Sequence, residues 1–136
     1  HAIFYDNDGQ EVNLIPTIIG VQSLEDPENP NYVFGYDALN LSAYLDEGYT
    51  VFYDIKRWIA DYDKDEELTD NFGRRAFISR KKILREFFIY IIHSLEDYIK
   101  GRIRSVHISG PVKRRRHDGY FILYFFSRRS ARCLFY

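Results

Sequence analysis

Nine apolar side chains recur at three- and four-residue steps between Ser79 and Lys100, and no other feature constrains this chain as strongly. Ile83, Leu84, Phe87, Phe88, Ile91, Ile92, Leu95, Tyr98 and Ile99 fall on one stripe of a helix of about six turns. Such a stripe must be covered by another element. Ser79 suits the N-cap and Gly101 the position just past the end. Arg104 to Ser109 then alternates as a strand, with Val106 and Ile108 on one face and His107 on the other, until Gly110-Pro111 stops it.

Upstream, the pattern is one of short strands. Ile3-Phe4-Tyr5 ends a strand, and Asp6-Asn7-Asp8-Gly9 turns it into a second strand over Glu11 to Ile15, an Asp-Gly hairpin signal. Pro16 interrupts, and Thr17 to Val21 resumes as a strand. Glu25 to Asn31 is a loop, and Tyr32-Val33-Phe34 a strand closed by Gly35. A helix follows, with Tyr36, Leu39, Ala43 and Tyr44 on a shared face and Gly48 as its stop. A shorter helix is expected over Tyr53 to Ala60, a solvated loop over the acidic run Asp61 to Asp70, and a strand over Arg74 to Ile78. The fold class is therefore mixed α+β or α/β, hairpins first and a long helix feeding a late strand.

Hydrophobic residues at 46% and charged residues at 29% predict a packed core and exclude wholesale disorder. No apolar run reaches the ~18 residues of a membrane span, so a soluble cytoplasmic protein is the expectation. The one cysteine, Cys133, excludes an internal disulfide framework and a cysteine-based zinc site. The histidines form no metal-ligand pair: His93 lies near the buried stripe, His107 on a strand and His117 in a basic turn. The chain begins His1-Ala2 and contains no methionine, which reads as a tag remnant before a sequence cut from something longer, or as a processed natural N-terminus. Charge changes sign along the chain. Residues 1–111 carry 12 Lys or Arg against 19 Asp or Glu, a balance of -7, and residues 112–136 carry seven against one, a balance of +6. Two parts with different partners or histories are expected, divided near residue 111.

Four segments of the first part resemble the first lobe of DnaK-type heat-shock chaperones, members of the actin and sugar-kinase superfold, and stand in the same order. Leu14-Ile15-Pro16-Thr17-Ile18-Ile19 resembles the family's "Pro-Ser-Val-Val" strand. Val33-Phe34-Gly35-Tyr36-Asp37-Ala38 resembles the "Ile-Gly-x-x-Ala" that opens a helix. Thr50-Val51-Phe52-Tyr53-Asp54-Ile55-Lys56-Arg57-Trp58-Ile59, the most specific of the four, is similar to "Thr-Val-Phe-Asp-x-Lys-Arg-Leu-Ile-Gly". The fourth couples the long helix to Val106-His107-Ile108-Ser109-Gly110-Pro111, where the family has "Val-Ile-Thr-Val-Pro".

The resemblance covers residues 2–111 and implies a partial ribonuclease-H-like, actin-type ATPase lobe: the small capping subdomain and part of its base. ATP and Mg would bind in the intact parent, whose remaining parts are the implied partner. The family's phosphate loops are absent from this sequence, so the chain by itself is not expected to hydrolyse ATP or hold a cofactor. Trp58 and Ala60 stand where the family has Leu and Gly, and Arg74 to Phe77 where it has a longer hairpin.

By the same resemblance Lys56 matches the lysine that reaches the γ-phosphate and attacking water, where a fixed ammonium stabilises the transferred charge. Without it, Lys56-Arg57 reads as the polar side of a short helix that buries Phe52, Ile55 and Ile59. Arg57 matches a position beside the nucleotide, where a guanidinium can stack on adenine; a salt bridge to the Asp61–Glu67 run is the alternative. Pro111 matches the proline that switches between nucleotide states, or simply ends a strand. Asp37 and Asp54 are read as charge complements to helix starts rather than as acids or bases.

The tail admits three readings. Lys113 to Arg116 with the following aromatics suits nucleic acid. Asp118-Gly119 suits a hairpin that returns the 104–116 strand as an aromatic strand over 120–126. A frameshifted or truncated gene end is the third, favoured by the charge reversal where the resemblance stops and compatible with the second. Nucleic acid is therefore not expected as a partner, whereas a Phe-rich strand edge favours self-association. Three functions follow as expectations: a DnaK-like ATPase fragment, a fragment of another actin-superfold ATPase or sugar kinase, or a stand-alone interaction module.

Overall fold

A computed structural model describes residues 4–12, 14–53, 55–61, 63–109, 122–127 and 130–133, and the fold is mixed α+β. Strands β1 (Phe4–Tyr5) and β2 (Glu11–Val12) form an antiparallel hairpin. In its turn the Asp6 carboxylate accepts hydrogen bonds from the Asp8 and Gln10 amides at 2.9 and 2.8 Å. Strand β3 (Ile19–Ser23) lies between β4 (Asn31–Phe34) and β5 (Val51–Phe52), antiparallel to both. Between β4 and β5 run helix α1 (Gly35–Leu41) and a 3-10 segment, Ser42–Glu47, so the α-helix ends well before the expected stop at Gly48.

A second 3-10 segment, Ile55–Asp61, leads into the hairpin β6 (Asp65–Thr69) and β7 (Arg75–Ser79), which passes directly into α2 (Arg80–Ile99). Strand β8 (Ser105–Ser109) pairs antiparallel with β9 (Ile122–Ser127), and β9 with β10 (Ser130–Cys133). The expected return of the chain onto the 104–109 strand is thus present, with Ser105 opposite Phe126 and Ser109 opposite Ile122. The Asp118-Gly119 turn, His117 and the 113–116 basic run lie outside the described residues. No helix among the described residues is long and apolar enough to cross a membrane.

Helix α2 starts as its sequence predicts, with the Ser79 side chain accepting from the Lys82 amide. Its end differs. Lys100, not Gly101, takes the left-handed conformation (φ 54°, ψ 45°), and the Gly101 amide reaches back to the Glu96 carbonyl at 3.2 Å. Five of the nine stripe residues are buried, Ile83, Leu84, Phe87, Ile91 and Leu95. They join one core with Ile19, Val21, Leu24, Ile55, Trp58, Leu68 and Ile78. Each such side chain contributes about 1.5–3 kcal/mol. Phe34 extends the core sideways, stacked on Tyr90 with ring centroids 4.8 Å apart.

Three expectations are corrected. The acidic run is not a solvated loop: residues 65–69 form β6, with Leu68 fully buried. Its charges are matched by arginines, Glu67 to Arg75 at 2.6 Å and Glu66 to Arg80 at 2.7 Å, which lets a carboxylate-rich segment pair as a strand. The shorter helix expected over Tyr53 to Ala60 is a 3-10 helix that starts only at Ile55. Finally, Leu39 on α1 and Tyr44 on the following 3-10 segment are not buried, at 38% and 56% exposed; α1 buries Gly35 and Ala38.

The reason is the closeness of α1 to β3. A side chain at Gly20 would meet Leu41 and Val33, and the Ala38 Cα lies just beyond, so only small residues fit the contact. Gly35 has φ of +61°, and a Cβ there would overlap the Ile15 side chain. Gly35→Ala therefore combines left-handed strain with overpacking. It is expected to lower stability by about 3 kcal/mol in urea denaturation, far more than an exposed substitution such as Asp37→Ala.

Candidate functional site

The Lys56-Arg57 pair is carried by a turn with buried ends. Ile55 and Trp58 are 1% and 6% exposed, while Lys56 between them is half-buried and Arg57 exposed. The Trp58 ring meets Phe52 edge-on, with centroids 4.8 Å apart and planes at 71°. Phe52 itself is held opposite Ile19 on the central sheet. The backbone bearing the two cations is thereby fixed from its N-terminal side by β5 and from below by two core side chains.

Arg80, at the start of α2, fixes the other side. Its Nε donates to Glu66 Oε1 at 2.7 Å and its Nη1 to the Asp61 carbonyl at 3.3 Å. Its guanidinium carbon lies 5.3 Å from the Trp58 ring centroid. Asp61 is engaged a second time by Lys64, at 2.6 Å. Asp61, Glu66 and Glu67 are thus matched by Lys64, Arg80 and Arg75.

A second polar cluster sits at the tip of the β6–β7 hairpin. Asp70 is fully buried, yet each of its oxygens accepts two hydrogen bonds. Oδ1 takes the amides of Phe72 and Arg74 at 3.0 and 3.1 Å; Oδ2 takes the Leu24 amide at 2.8 Å and Arg74 Nε at 2.7 Å. Burial pushes the carboxyl pKa up, but the Leu24 amide, the Arg74 guanidinium and the two hairpin amides outweigh it and hold the pKa below the ordinary value. With all four acceptor directions used, Asp70 has no lone pair left to take a proton from a substrate. Its role is to clasp the hairpin to the end of β3.

Of the residues singled out in the sequence, the neighbours Lys56 and Arg57 both lie on the 3-10 segment Ile55–Asp61. Pro111 and Asp54 lie outside the described residues. Asp37 is exposed in the first turn of α1, where a carboxylate complements the helix start, and His93 is exposed on α2. Among the described residues no three of His, Cys, Asp and Glu cluster closely enough to hold a metal ion.

Arg80 and Asp70 were not singled out by the sequence. For Asp70 a signal existed: Asp70-Asn71-Phe72-Gly73 repeats the Asp-Asn-x-Gly pattern of Asp6-Asn7-Asp8-Gly9, and the two turns share the same carboxylate-to-amide bonds. For Arg80 there was none, since its partners lie 14 to 22 positions earlier, on the 3-10 segment and on β6.

No protein-family model matches the chain, and neither does any curated protein or solved structure at a significant level.

Asp70→Asn removes a buried charge that two elements depend on, and a loss of about 2–4 kcal/mol at pH 7 is expected. Because the folded carboxyl lies below its unfolded value of 3.8, its contribution is present above that pH and is lost as pH falls through the folded pKa. Urea midpoints of wild type and Asp70→Asn should therefore lie far apart at pH 7 and converge on acidification.

Proposed function

We propose that the chain is the small capping subdomain, with part of its base, of a DnaK-like ATPase of the actin superfold, and that Lys56 serves the phosphoryl group and Arg57 the base of a bound nucleotide. The observation that carries this reading is the Thr50–Ile59 segment. It is the most specific point of resemblance, and its two cations occupy one turn whose ends are anchored in the core.

The order of elements supports the same reading. The strand pair, the helix opening at Gly35, the Lys56 turn, and the long helix followed by the 105–109 strand occur in the sequence the resemblance requires. The glycine and alanine of its helix-opening motif also have stringent packing reasons here, since Gly35 abuts Ile15 and Ala38 is fully buried.

The donor set fits a nucleoside triphosphate. An ammonium and a guanidinium in succession offer a compact point charge for a phosphoryl oxygen and a flat cation for a purine face. Held on a fixed turn, Lys56 would meet charge that grows on the γ-phosphoryl group without first having to be ordered, which is where electrostatic catalysis gains most. Magnesium, when bound with the nucleotide, would neutralise the β- and γ-phosphate oxygens; its ligands would come from the rest of the parent. That remainder is the principal partner, and this chain by itself is not expected to turn over ATP.

Sequencing the flanking coding region and assaying the intact parent tests this. Phosphate loops should flank the region encoded here, and Lys56→Ala should lower kcat by on the order of 100- to 1,000-fold with ATP affinity little changed. The isolated chain should give no calorimetric signal with Mg-ATP. A parent without phosphate loops, or a Lys56→Ala enzyme as fast as wild type, would refute the reading.

A further inference from the structure

We infer that Arg80 is the positioning residue of the Lys56-Arg57 turn. This assignment rests on the proposed role of that turn, but the geometry behind it does not. Only 19% of the Arg80 side chain is exposed, and it reaches two separate elements, β6 and the 3-10 segment, the latter at two points. It binds Glu66 on β6 at 2.7 Å, the Asp61 carbonyl at the last residue of the 3-10 segment at 3.3 Å, and the face of Trp58 at 5.3 Å. The Arg80 amide adds a backbone bond to the Lys64 carbonyl at 2.8 Å, three residues beyond that segment.

The 3-10 segment has few ways to hold its own shape. Such coils have poorer hydrogen-bond geometry than α-helices and rarely persist beyond a few residues without help. Phe52 and the core fix the N-terminal half, from Ile55 to Trp58. Arg80 supplies what the C-terminal half needs: it holds the Asp61 carbonyl and covers the outer face of Trp58. Lys56 lies between Ile55, held by the core, and Trp58, held by Phe52 on one side and Arg80 on the other, so its backbone direction follows from both.

A planar guanidinium is required for this. One Nε–H is directed at Glu66 while an Nη1–H reaches the Asp61 carbonyl, and the flat face remains for the indole. An ammonium on a lysine stem is a point charge that can serve Glu66 but cannot bridge to the carbonyl and stack at once. The Asp61 carbonyl bond and the Trp58 contact also link the turn to the first residue of α2. A displacement of the start of that helix therefore reaches the C-terminal end of the turn through Arg80, beside the core contacts of Ile55 and Trp58.

The test uses this chain with Arg80→Gln and Arg80→Lys, and Arg75→Gln as a control, because Arg75 pairs with Glu67 on the exposed face of the same hairpin. Three quantities are read: amide exchange over 55–61 against 65–79, the emission of Trp58 (the one tryptophan in the sequence), and acylation of Lys56 relative to Lys81 and Lys82 in the same molecule.

Both Arg80 variants should speed exchange over 55–61 by about 10-fold relative to the hairpin. They should also red-shift Trp58 and raise relative Lys56 labelling, whereas Arg75→Gln should change none of these. Should the glutamine variant fail to fold, the lysine variant retains the Glu66 pair and still loses the bridge. The inference is overturned if the Arg80 variants lower the unfolding midpoint while exchange over 55–61 and Lys56 labelling keep their wild-type ratios. Arg80 would then only staple the helix to the hairpin. Since no readout involves nucleotide, failure of the ATPase reading leaves these outcomes unaffected and is detected separately by Lys56→Ala in the parent.

Discussion

Burial of the line Ile83, Phe87, Ile91 and Leu95 is the interaction on which the remaining structure depends. Helix α2 has no reason to be ordered at this length without a surface to cover that line, because isolated helices are marginal in water. The surface is assembled from short pieces: β3 at the centre, Phe34 from β4, Ile78 from β7, and Ile55 and Trp58 from the 3-10 segment. Strands of two to five residues gain little from their own pairing, and a two-stranded hairpin is marginal by itself. Helix and strands therefore stabilise one another through one apolar core.

Around that core the polar interactions decide register and approach rather than bulk stability. Asp70 links the hairpin tip to Leu24 at the end of β3, and Arg80 links the hairpin and helix to the 3-10 segment. Both are charge-assisted and sheltered from water, conditions in which removing one partner costs more than the pair contributes as a whole. By contrast, Arg75–Glu67 lies on the exposed face and is screened, so it contributes little.

The proposed function draws on the same arrangement. A cation useful at a phosphoryl group must be held, since a freely moving lysine gains no advantage from its position. The backbone of the turn bearing Lys56 and Arg57 is anchored by its own Ile55 and Trp58, by Phe52 from β5 and by Arg80 from α2. The resemblance names the two cations; the packing explains how a short 3-10 coil could present them in one orientation.

Much of this protein was legible in its sequence wherever the determining physics is local. Apolar spacing of three and four residues gave α2, and an Asp-Gly pair between β-prone runs gave the first hairpin. The Ser79 cap and the strand at 105–109 follow from the same short-range rules. Tertiary structure decided the rest. The acidic run pairs as a strand with β7, its Glu66 held by Arg80 from α2, and Asp70 is buried because its clasp includes an amide 46 residues away. The buried face of α1 followed from contact with Gly20 rather than from its own apolar residues, and the left-handed residue ending α2 was Lys100 instead of the glycine beside it. Periodicity and turn chemistry act within a few residues, so one stretch of sequence suffices to read them. Which charges meet, and which face finds room, depend on partners that only the folded chain brings within reach.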